Sequence, residues 1–266
     1  MNWLLSMVCE PKHRTGFDRN FWLWEEYDPT CNYLMVADVS RGDGADFSTF
    51  HILKLETLQV IGEYQGKPTL DMYANMLNSV GREFGTAMVV VENNNIGYSV
   101  LEKLINEYQY PNVYHSIKST HEYIEQHQAE YMNSAVPGFT TSMKTRPLII
   151  AKLEEFIRNK LIKVYSSRLT NEMKTFIWKN GRPQAMKGYN DDLIMALAIA
   201  CWVRDTALQV NARDLNYQKA FVDAIITSRT TFDANIKGQL GYKKDSALDS
   251  IIEAENIYNE YMWIIK

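Results

Sequence analysis

The sequence predicts an α/β fold in which a central mixed sheet is flanked by helices. Residues 33–64 have the pattern of three short strands joined by tight turns, as in an antiparallel meander. Residues 87–91 form a continuous apolar run, which is typical of a central parallel strand buried on both faces. Apolar residues at helical spacing follow each of these units, so we expect helices to cover the sheet.

The composition is that of an ordinary globular protein and excludes several functions. The 266 residues are 46% hydrophobic and 23% charged, which suits one large domain or a domain with appendages. A net charge of −4 means that any role with nucleic acid requires local clusters of basic residues. Three scattered cysteines fit neither a disulfide framework nor a cysteine metal site, and they suit a reducing compartment. We see no secretory leader and no run of about 18 apolar residues, so no membrane role is expected.

The first candidate site residue lies at the end of the first strand of the meander. Residues 33–39 are an apolar strand with Asp38 near its end, and a glycine-rich turn that contains Asp46 leads into a return strand over 47–53. A carboxylate at a buried strand end is costly unless a cation pairs with it, and the strand itself carries no Lys or Arg. A metal ion would satisfy Asp38. Alternatively, Asp38 caps the turn through the local backbone.

The remaining elements alternate between strand and helix. Their expected bounds are a strand over 57–64, helices over 69–84 and 97–108, a short strand over 113–116, a helix over 148–160, a short strand over 161–165, a helix over 168–174 and an edge strand over 175–178. Residues 117–145 have no clear period and suggest a surface loop or flap. His115, His121 and His127 lie near one another, but their spacing and the lack of a fourth ligand argue against zinc.

The second candidate acid is Glu92, which ends the strand over 87–91 and opens a polar loop. A strand-end acid is also found in nucleotide-hydrolysing sites, but the chain has no Gly-x-x-x-x-Gly-Lys-Ser/Thr motif to complete one. Capping of the following helix is the simpler alternative for Glu92.

A pair of acids, Asp191 and Asp192, forms the third candidate position. They follow Asn190, a good N-cap, in the first turn of a helix whose body over 193–203 is apolar all round. The helix dipole alone would favour acids in this turn. However, a buried helix also brings them to the interior edge of the sheet, where divalent cations would relieve the repulsion between carboxylates.

A basic segment, residues 144–187, contrasts with the acidic remainder of the chain. It contains eleven Lys and Arg residues against three Glu. A basic surface facing an acidic pocket is suited to hold a phosphodiester backbone against metal-binding carboxylates, although such residues can also be the solvated faces of helices. The candidate DNA contacts are Lys144, Arg146, Lys174, Lys179, Arg182 and Lys187.

The strand-end Asp, strand-end Glu and helix-start Asp, in this order, resemble the plan of ribonuclease H-like nucleases. Residues 33–205 more closely resemble the C-terminal nuclease domain of the large terminase subunit of tailed bacteriophages. The motifs that carry this resemblance are Ala37-Asp38-Val39-Ser40 with Gly42, Gly44 and Asp46, Val91-Glu92-Asn93-Asn94, Pro137-Gly138-Phe139, Thr145-Arg146-Pro147, Lys174-Thr175-Phe176 and Gly188-Tyr189-Asn190-Asp191-Asp192-Leu193.

The resemblance implies metal-dependent cleavage of double-stranded DNA during phage genome packaging. Asp38 with one or both of Asp191 and Asp192 would hold a first Mg²⁺ or Mn²⁺ ion, and Glu92 with Asp38 a second. Asp46 matches a further acidic position. These side chains would be ligands rather than nucleophiles. The implied partners are a terminase ATPase domain, the small terminase subunit and the portal protein, in the cytoplasm of the host cell.

The resemblance also sets the expected domain organisation. Residues 1–30 would be a lead-in or linker segment that packs its aromatic residues on the domain, 31–207 the nuclease domain, and 208–266 a C-terminal helical extension with helices over 220–226 and 248–264. Two features depart from the family. The chain has no phosphate-binding loop, so we expect no ATPase activity from it, and Asn190 stands where many relatives have His.

Two other classes of function remain open from the sequence. One is a non-cutting module that docks on the portal and holds DNA through residues 144–187. The other is a nuclease of the same fold that resolves DNA junctions. Asp38→Ala and Glu92→Ala would separate a nuclease from a docking module, and a preference for four-way junctions over linear duplex would indicate a resolvase.

Overall fold

The structure is a computed structural model, and it describes residues 2–16, 18–41, 44, 46–94, 96–117, 123–124, 135–179 and 181–204. The predicted C-terminal extension, 208–266, with its helices over 220–226 and 248–264, lies outside these residues, as do His121 and His127. Within the described ranges, no helix is both long enough and apolar enough to span a lipid bilayer.

The elements alternate much as the sequence predicts. The helices are α1 (Asn2–Met7), α2 (Leu70–Glu83), α3 (Gly97–Glu102, continued by a π-helical turn, Lys103–Glu107), α4 (Thr145–Arg158), α5 (Ser167–Thr175) and α6 (192–204). The strands are β1 (His13–Thr15), β2 (Phe21–Leu23), β3 (Tyr33–Asp38), β4 (Ser48–Lys54), β5 (Gln59–Gly66), β6 (Met88–Val91), β7 (His115–Ile117), β8 (Tyr123–Ile124), β9 (Ala135–Pro137), β10 (Lys163–Val164), β11 (Phe176–Lys179) and β12 (Arg182–Ala185).

The main sheet has seven strands and mixes the two pairing directions. Its order is β1-β2-β5-β4-β3-β6, with β10 paired to β5. The strands β3, β4 and β5 form the predicted antiparallel meander, while β6 pairs with β3 and β10 with β5 in parallel. Two smaller sheets are formed by β7, β8 and β9 and by the hairpin of β11 and β12. The predicted α/β architecture is therefore confirmed.

Each face of the main sheet packs on its own apolar core, as the strand β3 illustrates. Leu34 and Val36 lie in a core that includes residues of α4 and α6. The alternate residues Tyr33, Met35 and Ala37 lie in a second core that includes residues of α2 and α3. Because side chains alternate between the two faces of a strand, a strand buried on both sides must be apolar throughout, which explains the unbroken apolar run.

The helix α6 is buried on all sides, as its composition predicts. Each residue from 193 to 201 is at most 2% exposed. The helix begins one residue later than expected, because the Asp191 carbonyl accepts the N–H of Met195 (2.8 Å) and Asp191 rather than Asn190 is therefore the N-cap residue.

The segment over 1–30, predicted as a lead-in or linker that packs its aromatic residues on the domain, also contributes two strands to the main sheet. The strand β2 pairs with β5, and β1 with β2. Phe21 packs on Phe50 (ring centroids 5.4 Å apart), and the backbone N–H of Trp24 donates to the Ile61 carbonyl (2.8 Å). Strands of three residues are too short to show a period of two, so the sequence gives no sign of them.

Other elements also differ from the prediction. The strand β5 begins at Gln59 because Leu58 occupies the preceding turn with a φ of 52°. The helix α4 begins at Thr145, which places Pro147 within its first turn. Part of the predicted loop over 117–145 is regular, since β9 pairs with β7.

Candidate functional site

A cavity of about 410 Å³ opens where β3 and β6 end. Ala37 pairs with Val91 in the parallel register of these strands, so the next residues, Asp38 and Glu92, emerge at the same edge of the sheet. Ligand sites in α/β folds commonly lie at the carboxyl ends of strands. The cavity is lined by Asp38, Val39, Ser40, Arg41, Gly44, Asp46, Phe47, Glu92, Asn94, Ile96 and Asp192.

Asp38 is the most perturbed acid of the cavity. Burial raises the pKa of Asp38 well above its usual value, and the adjacent Glu92 raises it further through repulsion and a hydrogen bond between the two carboxyls. Smaller contributions come from Asp192 and Asp191. These acids therefore crowd one another, so a cation at this place would relieve an existing repulsion.

Glu92 is held by the loop that follows β6. The Asn94 amide donates to Glu92 Oε1 (3.1 Å) and to the Thr141 carbonyl (2.6 Å), which joins this loop to residues ahead of α4. The chain also passes very close to itself here. A Cβ at Gly97 would overlap with the Glu92 carbonyl oxygen, so only glycine allows α3 to start directly behind the acid.

Asp192 enters the cavity from the first turn of α6. Its Oδ2 accepts the Phe47 N–H (2.8 Å) and the Asn190 amide (3.2 Å). The pKa of Asp192 is raised to about 6. Burial is the main cause, these hydrogen bonds oppose it, and the charges of Asp46 and Asp191 add to it. Asp46 itself is exposed and lines the cavity.

The neighbouring acid, Asp191, has different partners. Its Oδ2 forms an ion pair with Arg146 and accepts the Ala185 N–H (3.2 Å). Asp191 is not among the residues that line the cavity, although its charge still reaches Asp38. The structure therefore brings Asp38, Asp46, Glu92 and Asp192 together and gives Asp191 a separate contact.

The predicted DNA contacts are mostly exposed, with one exception. Lys144, Lys174, Lys179, Arg182 and Lys187 are exposed, and Lys179 and Arg182 pair across the β11–β12 hairpin. Arg146 is instead engaged, because it contacts Asp191 and donates through Nε to the Pro183 carbonyl (3.1 Å). Arg146 thus joins α4, the hairpin and the start of α6.

Two further residues near the site were not predicted from the sequence. Arg41 lines the cavity. Glu172, on α5, accepts the N–H groups of Leu193 (3.0 Å) and Ile194 (3.3 Å) at the start of α6. The pKa of Glu172 is raised to about 8, mainly by burial and next by repulsion from Asp192. Glu172 lies near Leu169 and Met173, the apolar residues of α5 that pack in the core. An acid on the apolar side of a helix is a weak signal that it accepts a buried hydrogen bond.

The carboxylate oxygens of the cavity suit Mg²⁺ or Mn²⁺, which prefer oxygen ligands. In the described part of the chain, no three Asp, Glu, His or Cys side chains are grouped so as to hold one ion. Any ion here would therefore take one or two carboxylates, with water and phosphate oxygens in the other positions. Mg²⁺ is commonly bound in this way, so the cavity fits the ion.

Comparison with known proteins gives similarity in structure. No family model matches the sequence. The large terminase nuclease of thermophilic phage G20c with bound cobalt is 18% identical at a TM-score of 0.57, over 74% of this chain and 93% of that one. The same nuclease with bound magnesium is 19% identical at a TM-score of 0.54, with the same coverage.

The large terminase nuclease domain of Thermus phage P74-26 gives a similar result. It is 18% identical at a TM-score of 0.55, over 74% of this chain and 90% of the phage domain. At this level of identity the likeness concerns the fold. The chain therefore has the fold of the nuclease domains of phage large terminases, as the sequence predicts.

Proposed function

We propose that this chain is a metal-dependent endonuclease that cleaves double-stranded DNA. The observation that carries this proposal is the convergence of Asp38, Glu92 and Asp192 in one cavity at the end of two parallel strands. Burial and the neighbouring Glu92 and Asp192 raise the pKa of Asp38, and a divalent cation would relieve this repulsion between carboxylates.

Each acid has a distinct task in this proposal. Asp38 and Asp192 would hold one Mg²⁺ or Mn²⁺ ion, and Asp38 and Glu92 a second. When bound, the ions would activate a water molecule and neutralise charge on the phosphate under attack. Asn94 fixes the orientation of Glu92, and the Phe47 N–H fixes that of Asp192. Asp46, which is exposed at the cavity, would act through its charge or through a water ligand.

Basic residues outside the cavity would bind the DNA backbone. Lys179 and Arg182 on the hairpin, with Lys144, Lys174 and Lys187, offer exposed cations to phosphates. Arg41 lines the cavity and can approach the scissile phosphate itself. We assign Arg146 a different part, because its guanidinium already contacts Asp191.

The biological setting of this activity is part of the proposal. The large terminase nucleases that share the fold support a role in cutting phage DNA for packaging, in the cytoplasm of the host cell. The partners would then be duplex DNA, a terminase ATPase domain, the small terminase subunit and the portal protein.

Plasmid cleavage with EDTA, Mg²⁺ or Mn²⁺ tests the proposal. We expect the ions to support nicking or linearisation, and Asp38→Asn to lose it. Asp71→Asn is a matched control, because Asp71 is an acid of α2 whose side chain is 76% exposed and paired with Lys103. DNA binding without cleavage in either metal would indicate a docking module, and selective cutting of four-way junctions would indicate a resolvase.

A further inference from the structure

The first turn of α6 is capped by a residue from another helix. The N–H groups at the second and third positions of a helix have no partner within it, and the N-cap side chain usually accepts them. Here the groups belong to Leu193 and Ile194, and both donate to Glu172 Oε2 on α5, at 3.0 and 3.3 Å. The other carboxylate oxygen of Glu172 accepts the amide of Gln65 on β5 (2.9 Å).

The N-cap residue of α6 does not use its own side chain for this purpose. The carboxylate of Asp191 contacts Arg146 and the Ala185 N–H. Glu172 therefore takes over the capping that Asp191 would otherwise supply. Because Gln65 belongs to the main sheet, the cap also ties the start of α6 to the scaffold that carries Asp38.

The strand β4 holds the same turn from the opposite side. Thr49 Oγ1 donates to the Asp192 carbonyl (3.1 Å), and His51 Nε2 contacts the Leu193 carbonyl (2.9 Å). The Phe47 N–H contacts the Asp192 carboxylate. Thr49 and His51 share one face of β4, as the period of two requires, and Phe47 directly precedes the strand. The backbone around Asp192 is thus hydrogen-bonded to β4 on one side and to Glu172 on the other.

We propose that Glu172 is a positioning residue that sets the placement of Asp192 in the cavity. Removing the cap would free two backbone N–H groups and let the first turn of α6 fray, so that the Asp192 carboxylate would no longer meet Asp38 in one arrangement. The expected effect of Glu172 on metal binding and DNA cleavage rests on the proposed function. The structural half of the inference, that Glu172 holds the first turn of α6, does not depend on any ion.

Hydrogen exchange of backbone amides tests the structural half. We expect Glu172→Ala to speed exchange at Leu193 and Ile194 by at least roughly 10-fold while Ala198, in the middle of α6, is unaffected. Glu172→Gln keeps an acceptor oxygen and should restore most of the protection. Unchanged exchange at Leu193 and Ile194 in Glu172→Ala would overturn the inference.

Binding of Mn²⁺, followed by calorimetry and by electron paramagnetic resonance, tests the effect on the site. Glu172→Ala should weaken the ion by about 10- to 100-fold, as losses of groups that orient ligands do, and Glu172→Gln should weaken it less. In plasmid cleavage, Glu172→Ala should lower kcat with little change in KM for DNA. Leu77→Ala, in the core on the other face of the sheet, should destabilise the fold without changing Mn²⁺ affinity.

The outcomes separate the two proposals. Wild-type affinity for Mn²⁺ in Glu172→Ala would overturn the positioning role. An equal loss of affinity in Leu77→Ala would also overturn it, because the effect would then follow stability alone. If the wild type neither binds Mn²⁺ nor cleaves, the proposed function fails, and faster exchange at Leu193 and Ile194 in Glu172→Ala would still support Glu172 as the residue that positions this turn.

Discussion

The helices α2 and α6 begin in contrasting ways. At α2 the N-cap residue Thr69 accepts the Met72 N–H through its own side chain (3.3 Å), so the cap is local. At α6 the cap comes from Glu172, and the acids of the turn contact other elements. A helix start that only has to be stable can cap itself. At α6, where Asp192 lines the cavity, the first turn is instead capped from another helix.

The sharpest test of this contrast compares the two adjacent acids at the start of α6, the N-cap residue Asp191 and the first helical residue Asp192. We expect Asp192→Asn to lower kcat for DNA cleavage by about 100- to 1,000-fold, the loss typical of one group that stabilises charge in a transition state. Asp191→Asn should lower it less, since it removes an ion pair with Arg146 but leaves the cavity lining intact. Plasmid cleavage rates measure both variants, and equal losses would place Asp191 among the ligands.

The hairpin beside Asp191 should govern affinity for DNA rather than the chemical step. Each lost phosphate contact lowers the slope of log affinity against log salt by about 0.9, so replacing both Lys179 and Arg182 with Ala should lower it by about 1.8 and weaken binding roughly 50-fold at about 0.1 M salt. A salt titration of binding to a short duplex measures the slope. An unchanged slope would show that these cations do not contact DNA, and Lys160→Ala, on an exposed Lys beyond α4, is the control.

Asp192→Asn should raise the free energy of unfolding, although it lowers the rate of DNA cleavage. The pKa of Asp192 lies at about 6 in the folded protein against 3.8 ordinarily, so the folded state binds this proton more tightly than the unfolded state. The free energy of unfolding therefore falls as the pH rises from about 3.8 to about 6. At about pH 7, without metal, Asp192→Asn should stabilise the protein by up to about 3 kcal/mol, since one pKa unit corresponds to about 1.4 kcal/mol.

Denaturant unfolding across pH measures this gain. The stabilisation by Asp192→Asn should shrink as the pH falls towards the ordinary pKa of Asp, where the wild-type carboxyl is also neutral. Saturating Mg²⁺ should reduce it as well, because the ion would stabilise the wild type and not the variant. A gain that is independent of pH would contradict the assigned cause.

The smallest effect is expected at α2. Thr69→Ala removes a local cap and should lower the unfolding free energy by about 1 kcal/mol. Mn²⁺ affinity and cleavage should be unchanged, because Thr69 does not line the cavity. Denaturant unfolding and Mn²⁺ titration of the same variant check both statements, and a change in metal affinity would mean that caps act on the site through general stability.

The sequence predicts those parts of the molecule that depend on local periodicity. The meander, α2, the buried α6 and the strand-end acids Asp38 and Glu92 all follow from runs of neighbouring residues. The short strands β1 and β2 do not, because three residues cannot display a period. Glu172 gives only a weak signal, since its partners are the Gln65 amide and backbone N–H groups about twenty residues away, and any sequence could supply such N–H groups.

The pair of acids shows where local patterns stop being informative. Asp191 and Asp192 are chemically identical neighbours, and successive residues on a helix point about 100° apart. What distinguishes them is the Arg146 side chain and the Ala185 N–H, both brought close by the tertiary fold. The sequence could therefore predict that an acid is delivered here but not which acid faces the cavity.

The position of α6 along the chain has a consequence for synthesis. Asp38 and Glu92 leave the ribosome long before 192–204, and α6 supplies both the third acid and the cover for one apolar face of the sheet. A nascent or prematurely ended chain that stops before Asp192 thus exposes an apolar surface that chaperones and proteases recognise, and it lacks a complete acidic cavity. Synthesis of α6 therefore completes both the apolar core on this face and the acidic cavity.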